Sequence, residues 1–333
     1  MKTFFALVLL LIAAGSLIQC SAVAAEATYA ERLGWAPKAR VVLFHCDDAG
    51  MSHASNLGAI ESIEKGVVTS VSIMMPCPWV PEFVEYVKEH PQTDAGLHLT
   101  MNCEWALYRW GPVAGKPAVP GLCDPSGYLW HPVQETAKHA TPDEVEREIR
   151  AQIEKAEAMG LHPTHLDTHM GALSATPEFM ERYMKVGIEK HIPVLAVGGP
   201  RRLARMENPQ AAERFRKLIT AVWNAGLPVI DDLHGASYDW KDGSKSSRFI
   251  ELLKHLQPGI TMVIVHCSRP TEEFPLITSS SNLRYEDLKA MIDPEVRQTV
   301  RDEGIILTSW RELLQRREKL GAATPERGGN VPR

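Results

Sequence analysis

The sequence has no Cys-x-x-Cys pair among its six cysteines, which argues against a structural zinc module. With Cys20 set aside in the N-terminal leader, Cys46, Cys77, Cys103, Cys123 and Cys267 remain. An odd count makes a poor disulfide framework, and a mature chain of about 300 residues can build a core without one. Cys46 and Cys267 end apolar runs and read as buried thiols, while Cys103 with Cys123 is the candidate loop disulfide. Positive charge is also short: 36 Lys+Arg against 41 Asp+Glu leave a formal net charge of −5. That argues against a general nucleic-acid binder and offers no polybasic route to an anionic membrane. No G-x-G-x-x-G follows the first strand candidate, which counts against a doubly wound nucleotide-binding sheet. There is no internal repeat and no low-complexity tract.

The composition is otherwise that of a folded globular chain, 44% hydrophobic and 23% charged over 333 residues. Its first 25 residues differ. Lys2 leads into "TFFALVLLLIAAGSLIQ", an apolar core too short and too weakly flanked for a membrane span. Small residues follow, and Ala22-Val23-Ala24 fits signal-peptidase cleavage near Ala24 or Ala25. The rival reading is a lipoprotein signal with Cys20 lipidated, but Gln19 stands where a small residue is expected. The expectation is a signal peptide over 1–25, an exported protein, one domain over 26–320 and a disordered polar tail over 321–333.

Short β-branched runs recur along the mature chain: "RVVLFHC", "VTSVSIMM", "DAGLHLT", "PTHLDTH", "IPVLAV", "LPVID", "ITMVIVHC" and "EGIILTS". Helical patterns separate most of them. The clearest starts at Thr141, an N-cap with Pro142 at the first helical position and Glu144 completing a capping box, and stops at Gly160. Thr176-Pro177-Glu178 opens another, and Ser246 to His255 and Asp293 to Arg301 read as two more. Eight strands alternating with helices predict a parallel sheet closed as a distorted (β/α) barrel. The irregular segment 102–140, with Trp105, Tyr108, Trp110, Tyr128 and Trp130, is long enough to expect a functional loop.

In a barrel the chemistry gathers at the C-terminal ends of the strands. Asp47-Asp48 end the first run, His98 the third and His266 the seventh; His165, Asp167 and His169 ride the fourth; Asp231, Asp232 and His234 follow the sixth. Strand periodicity puts His165, Asp167 and His169 on one face, and imidazole with carboxylate suits zinc and similar divalent ions. Two adjacent carboxylates resist double ionisation unless a cation compensates. One can then hold an ion while the other, pointing differently on an alternating strand, takes a proton from water. Each group alone also has a plainer reading: a polar turn for Asp47-Asp48, a core imidazole for His98 or His266, a surface loop for "HLDTH". The loop aromatics suit stacking on pyranose faces or ordinary loop packing. Arg201-Arg202 reads as an anion contact or a solvated pair.

"HCDDAGMS", the run through "GAIESIEKGVVTSVSIMMPCPW", "GLHLTMN" and "PTHLDTHMG" together resemble the YdjC-like (ChbG) carbohydrate deacetylases, a polysaccharide-deacetylase-like family. "VPGLCDPSGYLW" and "LRYEDLKAM" add to the likeness, which covers residues 40 to about 310. The resemblance implies a single-domain distorted barrel that removes an acetyl group from an N-acetylated sugar with a divalent ion, Mg2+ or Zn2+. It implies Asp48, His98 and His169 as metal ligands, Asp47 as general base and His266 as acid or oxyanion stabiliser. His165, Asp167, Trp105, Trp110, Trp130 and Arg201 are the candidates for substrate contact, and a homodimer is the family-level expectation. Three departures stand out: Ala49 where the family has an aromatic, Met170-Gly171 where it has a histidine-rich run, and Cys267-Ser268 where it has Pro-Gly. The competing functions are a metal-dependent hydrolase of another acyl ester or phosphoester, and a glycan-binding protein without turnover.

Overall fold

A computed structural model describes residues 26–240 and 244–322. The expected signal peptide and nearly all of the polar tail lie outside the described residues. The last helix, Trp310–Ala322, runs two residues past the expected domain end.

One parallel sheet organises the chain. Its strands are β1 (Arg40–Ala49), β2 (Ser70–Ile73), β3 (Ala95–Leu99), β4 (Leu166–Thr168), β5 (Asp232–His234), β6 (Gly259–Val265) and β7 (Ile306–Leu307). The order is β4-β3-β2-β1-β6-β5, and β7 pairs with the start of β1 at Val41 and Val42, where β2 does not reach. Seven of the eight expected runs form or reach a strand, since "LPVID" leads into β5. "IPVLAV" does not: Val194 and Val197 make only isolated parallel bridges to Leu166 and Ile230. Pro193 and Pro228 withhold ladder N–H groups there. The regular sheet is therefore a curled half-barrel, not a barrel of eight regular strands, and residues 193–197 span the gap between β4 and β5.

The helices follow their caps. Thr141 and Glu144 form the reciprocal capping box of the helix Pro142–Ala158, and Gly160 takes φ +80° just past its end. Thr176 caps Pro177–Lys190, and the two later expectations appear as Lys245–Lys254 and Pro294–Asp302. These helices cover a sheet whose central residues, Val41 to Cys46 and Ile260 to Val263, are almost wholly buried. None of the described helices is long and apolar enough to cross a membrane.

The segment 102–140 is folded, with a short helical turn Pro120–Leu122, a helix Val133–His139 and an antiparallel bridge between Cys123 and Leu129. The Tyr108 hydroxyl ties it to the Met51 carbonyl at 2.5 Å, just beyond the aspartate pair. The expected Cys103–Cys123 disulfide is absent. Both are buried free thiols, with Cys103 Sγ against the Tyr108 carbonyl and Cys123 Sγ against the Val119 carbonyl.

Candidate active site

The site begins as an irregularity in β1. Cys46 pairs with Val71 and Ala49 with Ile73, so three steps on β1 oppose two on β2. That is a β-bulge, and it falls on Asp47-Asp48. Asp48 sits at φ +69°, a left-handed conformation that aspartate tolerates better than most residues. The bulge corrects the expectation that an alternating strand would point the two carboxylates apart: both line one cleft of about 360 Å³. Gly50, at φ +80°, completes the turn, and a Cβ there would come within 2.7 Å of Val80 Cγ2.

His98 reaches the cleft from β3. His169 reaches it from the turn after β4, because β4 ends at Thr168 and a short helical segment, kinked at Met170 and Gly171, starts at His169. Asp48 Oδ1 lies 3.4 Å from His98 Nε2 and 3.4 Å from His169 Nδ1. It is buried and has no hydrogen-bond partner. The far nitrogen of each imidazole is held by a carboxylate: His98 Nδ1 by Asp167 Oδ1 at 2.7 Å, His169 Nε2 by Glu104 Oε2 at 2.9 Å. That arrangement fixes ring orientation and tautomer in metal-binding histidines. Asp48 Oδ2 accepts from Arg284 Nη1 at 2.6 Å, which leaves Oδ1 facing the two imidazoles.

The charges explain the titration. Burial alone would raise the Asp48 pKa, but Arg284 and the imidazoles of His169 and His266 hold it well below the usual range. Burial alone would lower His169, but Glu104 and Asp48 push it up to about 10; Asp47, Asp167 and Asp48 likewise outweigh burial at His98. Of the four carboxylates around these imidazoles (Asp47, Asp48, Glu104, Asp167), only Asp48 meets a guanidinium, and the others pair with histidines. A cation in the position of the imidazole protons would balance the same charge. The orphaned Asp48 oxygen and the two oriented imidazoles fit a divalent ion.

His266 closes the cleft from the end of β6. Its Nε2 is 3.8 Å from Asp47 Oδ2, its ring stands edge-on to Tyr238, and burial lowers its pKa. Trp105 and Tyr238 form apolar walls, with the Arg284 guanidinium over both rings.

Other expected residues lie elsewhere. His165 precedes β4 instead of riding it, so the three residues of "HLDTH" do not share a strand face. It is fully buried, stacked on Trp310 and pressed against Gly96, where a Cβ would meet its Cε1 at 2.4 Å. Asp167 is buried behind His98 and does not line the cleft. Trp110 is buried and donates to the Asn102 carbonyl; Trp130 stacks on His139 and donates to the Gly121 carbonyl. Neither lines the cleft. Arg201, with Asp231, Asp232 and His234, lines a separate cavity of about 540 Å³. Asp231 is spent on structure there, accepting from the Tyr29, Ala30 and Ile260 amides.

Three groups escaped sequence reasoning. Arg284 stands in "LRYEDLKAM", whose likeness carried no role. Glu104 is masked by the aromatics beside it. His45 lies two residues before Asp47 and reads as a strand residue.

Fold and cluster together define a class: a parallel α/β half-barrel that gathers one carboxylate and two imidazoles at its strand ends. The chain belongs to the YdjC-like protein family, whose profile matches residues 41–302. It is 26% identical over 274 residues to a carbohydrate deacetylase of Thermoanaerobacter pseudethanolicus, covering 82% of this chain and 99% of that one. It is 25% identical over 281 residues to a chitooligosaccharide deacetylase of Yersinia enterocolitica, with coverage of 82% and 99%. A solved Enterococcus faecalis structure named for cellobiose-phosphate cleavage superposes with a TM-score of 0.70 at 20% identity, covering 83% and 99%. That likeness shows the fold.

Proposed function

We infer that this chain is a metal-dependent carbohydrate deacetylase that hydrolyses the acetyl amide of an N-acetylated sugar. The observation that carries the reading is the unpartnered Asp48 Oδ1 facing two carboxylate-oriented imidazoles, with a second carboxylate, Asp47, in the same cleft. Full-length similarity to named deacetylases supports the substrate class.

Asp48 Oδ1, His98 Nε2 and His169 Nδ1 would hold the ion. Their 3.4 Å separations are long for hydrogen bonds. These three donor atoms lie close enough together to share one ion. Two imidazoles with one carboxylate favour zinc over magnesium. When bound, the ion polarises the acetyl carbonyl and makes water more acidic. Asp47 accepts the proton of the attacking water. His266, 3.8 Å from Asp47 Oδ2, relays that proton to the departing amine. Trp105 offers the cleft's stacking face for a pyranose. The lysine-led apolar leader of residues 1–25 supports export.

The test is acetate release from N-acetylated chitooligosaccharides by the metal-loaded protein, with metal content measured alongside. The expected result is stoichiometric acetate and free amine, abolished by chelation and restored by zinc. Tightly bound metal with no acetate from any acetylated saccharide would overturn the reading.

A further inference from the structure

We propose that His45 is a positioning residue that clamps Asp47 to the Asp167–His98 pair from behind the cleft. The inference rests on Asp47 being the base. His45 lies on β1, fully buried, and does not line the cleft. Its Nε2 is 2.7 Å from Asp167 Oδ2, 3.1 Å from Asp47 Oδ1 and 3.1 Å from Ser72 Oγ. Its Nδ1 is 3.0 Å from Ser70 Oγ. An unprotonated imidazole nitrogen would set its lone pair against those carboxylate oxygens, so Nε2 carries hydrogen. The hydrogen bond of Nε2 runs to Ser72 Oγ, and the two carboxylates meet the ring as ion-pair contacts, Asp167 Oδ2 accepting no hydrogen bond.

Asp167 uses its other oxygen to hold His98 Nδ1. A buried chain, Asp47–His45–Asp167–His98, thus ties the base to an imidazole that faces the proposed ion. Ser72 Oγ, 3.5 Å from Asp47 Oδ1, extends the tether to β2. Burial alone would lower the His45 pKa, but Asp167 and Asp47 push it up to about 10, consistent with a cationic clamp. A base held this way keeps its oxygen in line with the cleft, and misplacement of a reacting group by an ångström can cost about 100-fold in rate.

Two variants separate clamp from filler. The amide nitrogen of His45→Gln reaches the place of Nε2, whereas that of His45→Asn reaches only the place of Nδ1. In the metal-loaded full chain, His45→Asn should lower kcat for acetate release by roughly 10- to 100-fold with KM and bound metal unchanged. His45→Gln should recover activity to within several-fold. A second readout needs no turnover: the imidazole N–H proton resonance lost in His45→Asn should shift in both Asp47→Asn and Asp167→Asn. Equal losses in the Gln and Asn variants, metal loss that tracks the kcat loss, or a resonance indifferent to Asp47→Asn would overturn the proposal. If the wild-type protein released no acetate, the deacetylase reading would fail, and the resonance alone would decide the clamp.

Discussion

At the scale of single residues, the two aspartates differ in what surrounds them. Asp48 is gripped by Arg284 on one oxygen and faces two imidazoles with the other. Asp47 touches His45 and stands near His98 and His266, with 7% of its surface exposed. Asp47→Asn should therefore keep bound metal and lose at least about 100-fold in kcat, the scale of a missing general base. Metal analysis of the purified variant checks the first half, and loss of the ion would mean the two aspartates had been assigned the wrong way round. Glu104 acts through His169. Glu104→Gln keeps the shape but removes the charge that orients and strengthens that imidazole, so metal affinity should fall by about 10- to 100-fold. Competition with a chromogenic chelator measures it, and unchanged affinity would strip Glu104 of the role.

At the scale of elements, β1 and β3 carry the construction. The bulge in β1 turns two consecutive carboxylates into one cleft, which no regular strand could do. On β3, the bare Cα of Gly96 lets the His165 ring approach closely. Gly96→Ala should drive a methyl into a ring already stacked on Trp310, costing about 1–3 kcal/mol by overpacking. Thermal unfolding should show a lower Tm. A Tm equal to that of the wild type would mean that His165 has room to move.

At the scale of the whole molecule, helix-to-helix ion pairing sets part of the acid response. Glu146 on Pro142–Ala158 accepts from Arg150 on its own helix and from Arg182 and Lys185 on Pro177–Lys190. Burial would raise its pKa, but those cations pull it down from 4.5 to about 2. A carboxyl depressed in the folded state binds protons more readily in the unfolded one. Its contribution is therefore complete above about pH 4.5 and fades as pH falls towards 2. The pairs are partly solvated, so the contribution is about 1 kcal/mol. Glu146→Gln should lower Tm at pH 7, and the gap to the wild type should close between pH 4.5 and 2. A constant gap across that window would rule out the ionic origin.

Local pattern was enough for the alternation of strands and helices and the capping box at Thr141, whereas Asp47, Asp48, His98, His169 and His266 were singled out by the family resemblance, since strand-end placement also named Asp231, Asp232 and His234, which line a separate cavity. Strand periodicity, cap chemistry and strand-end placement all act within a few residues and survive translation into a string of letters. The shape of the sheet was not legible, because Pro193 and Pro228 thin the ladder only where their segments meet across the fold. Nor was the division between cleft and interior: His165 and His169 look alike in sequence, yet β4 ends between them and only one reaches the cleft. The grip of Arg284 on Asp48 spans 236 residues, and Asp167 holds His98 across 69. Which carboxylate meets which base at such separations is decided when strands and helices pack, since burial and charge pairing are properties of neighbours in space.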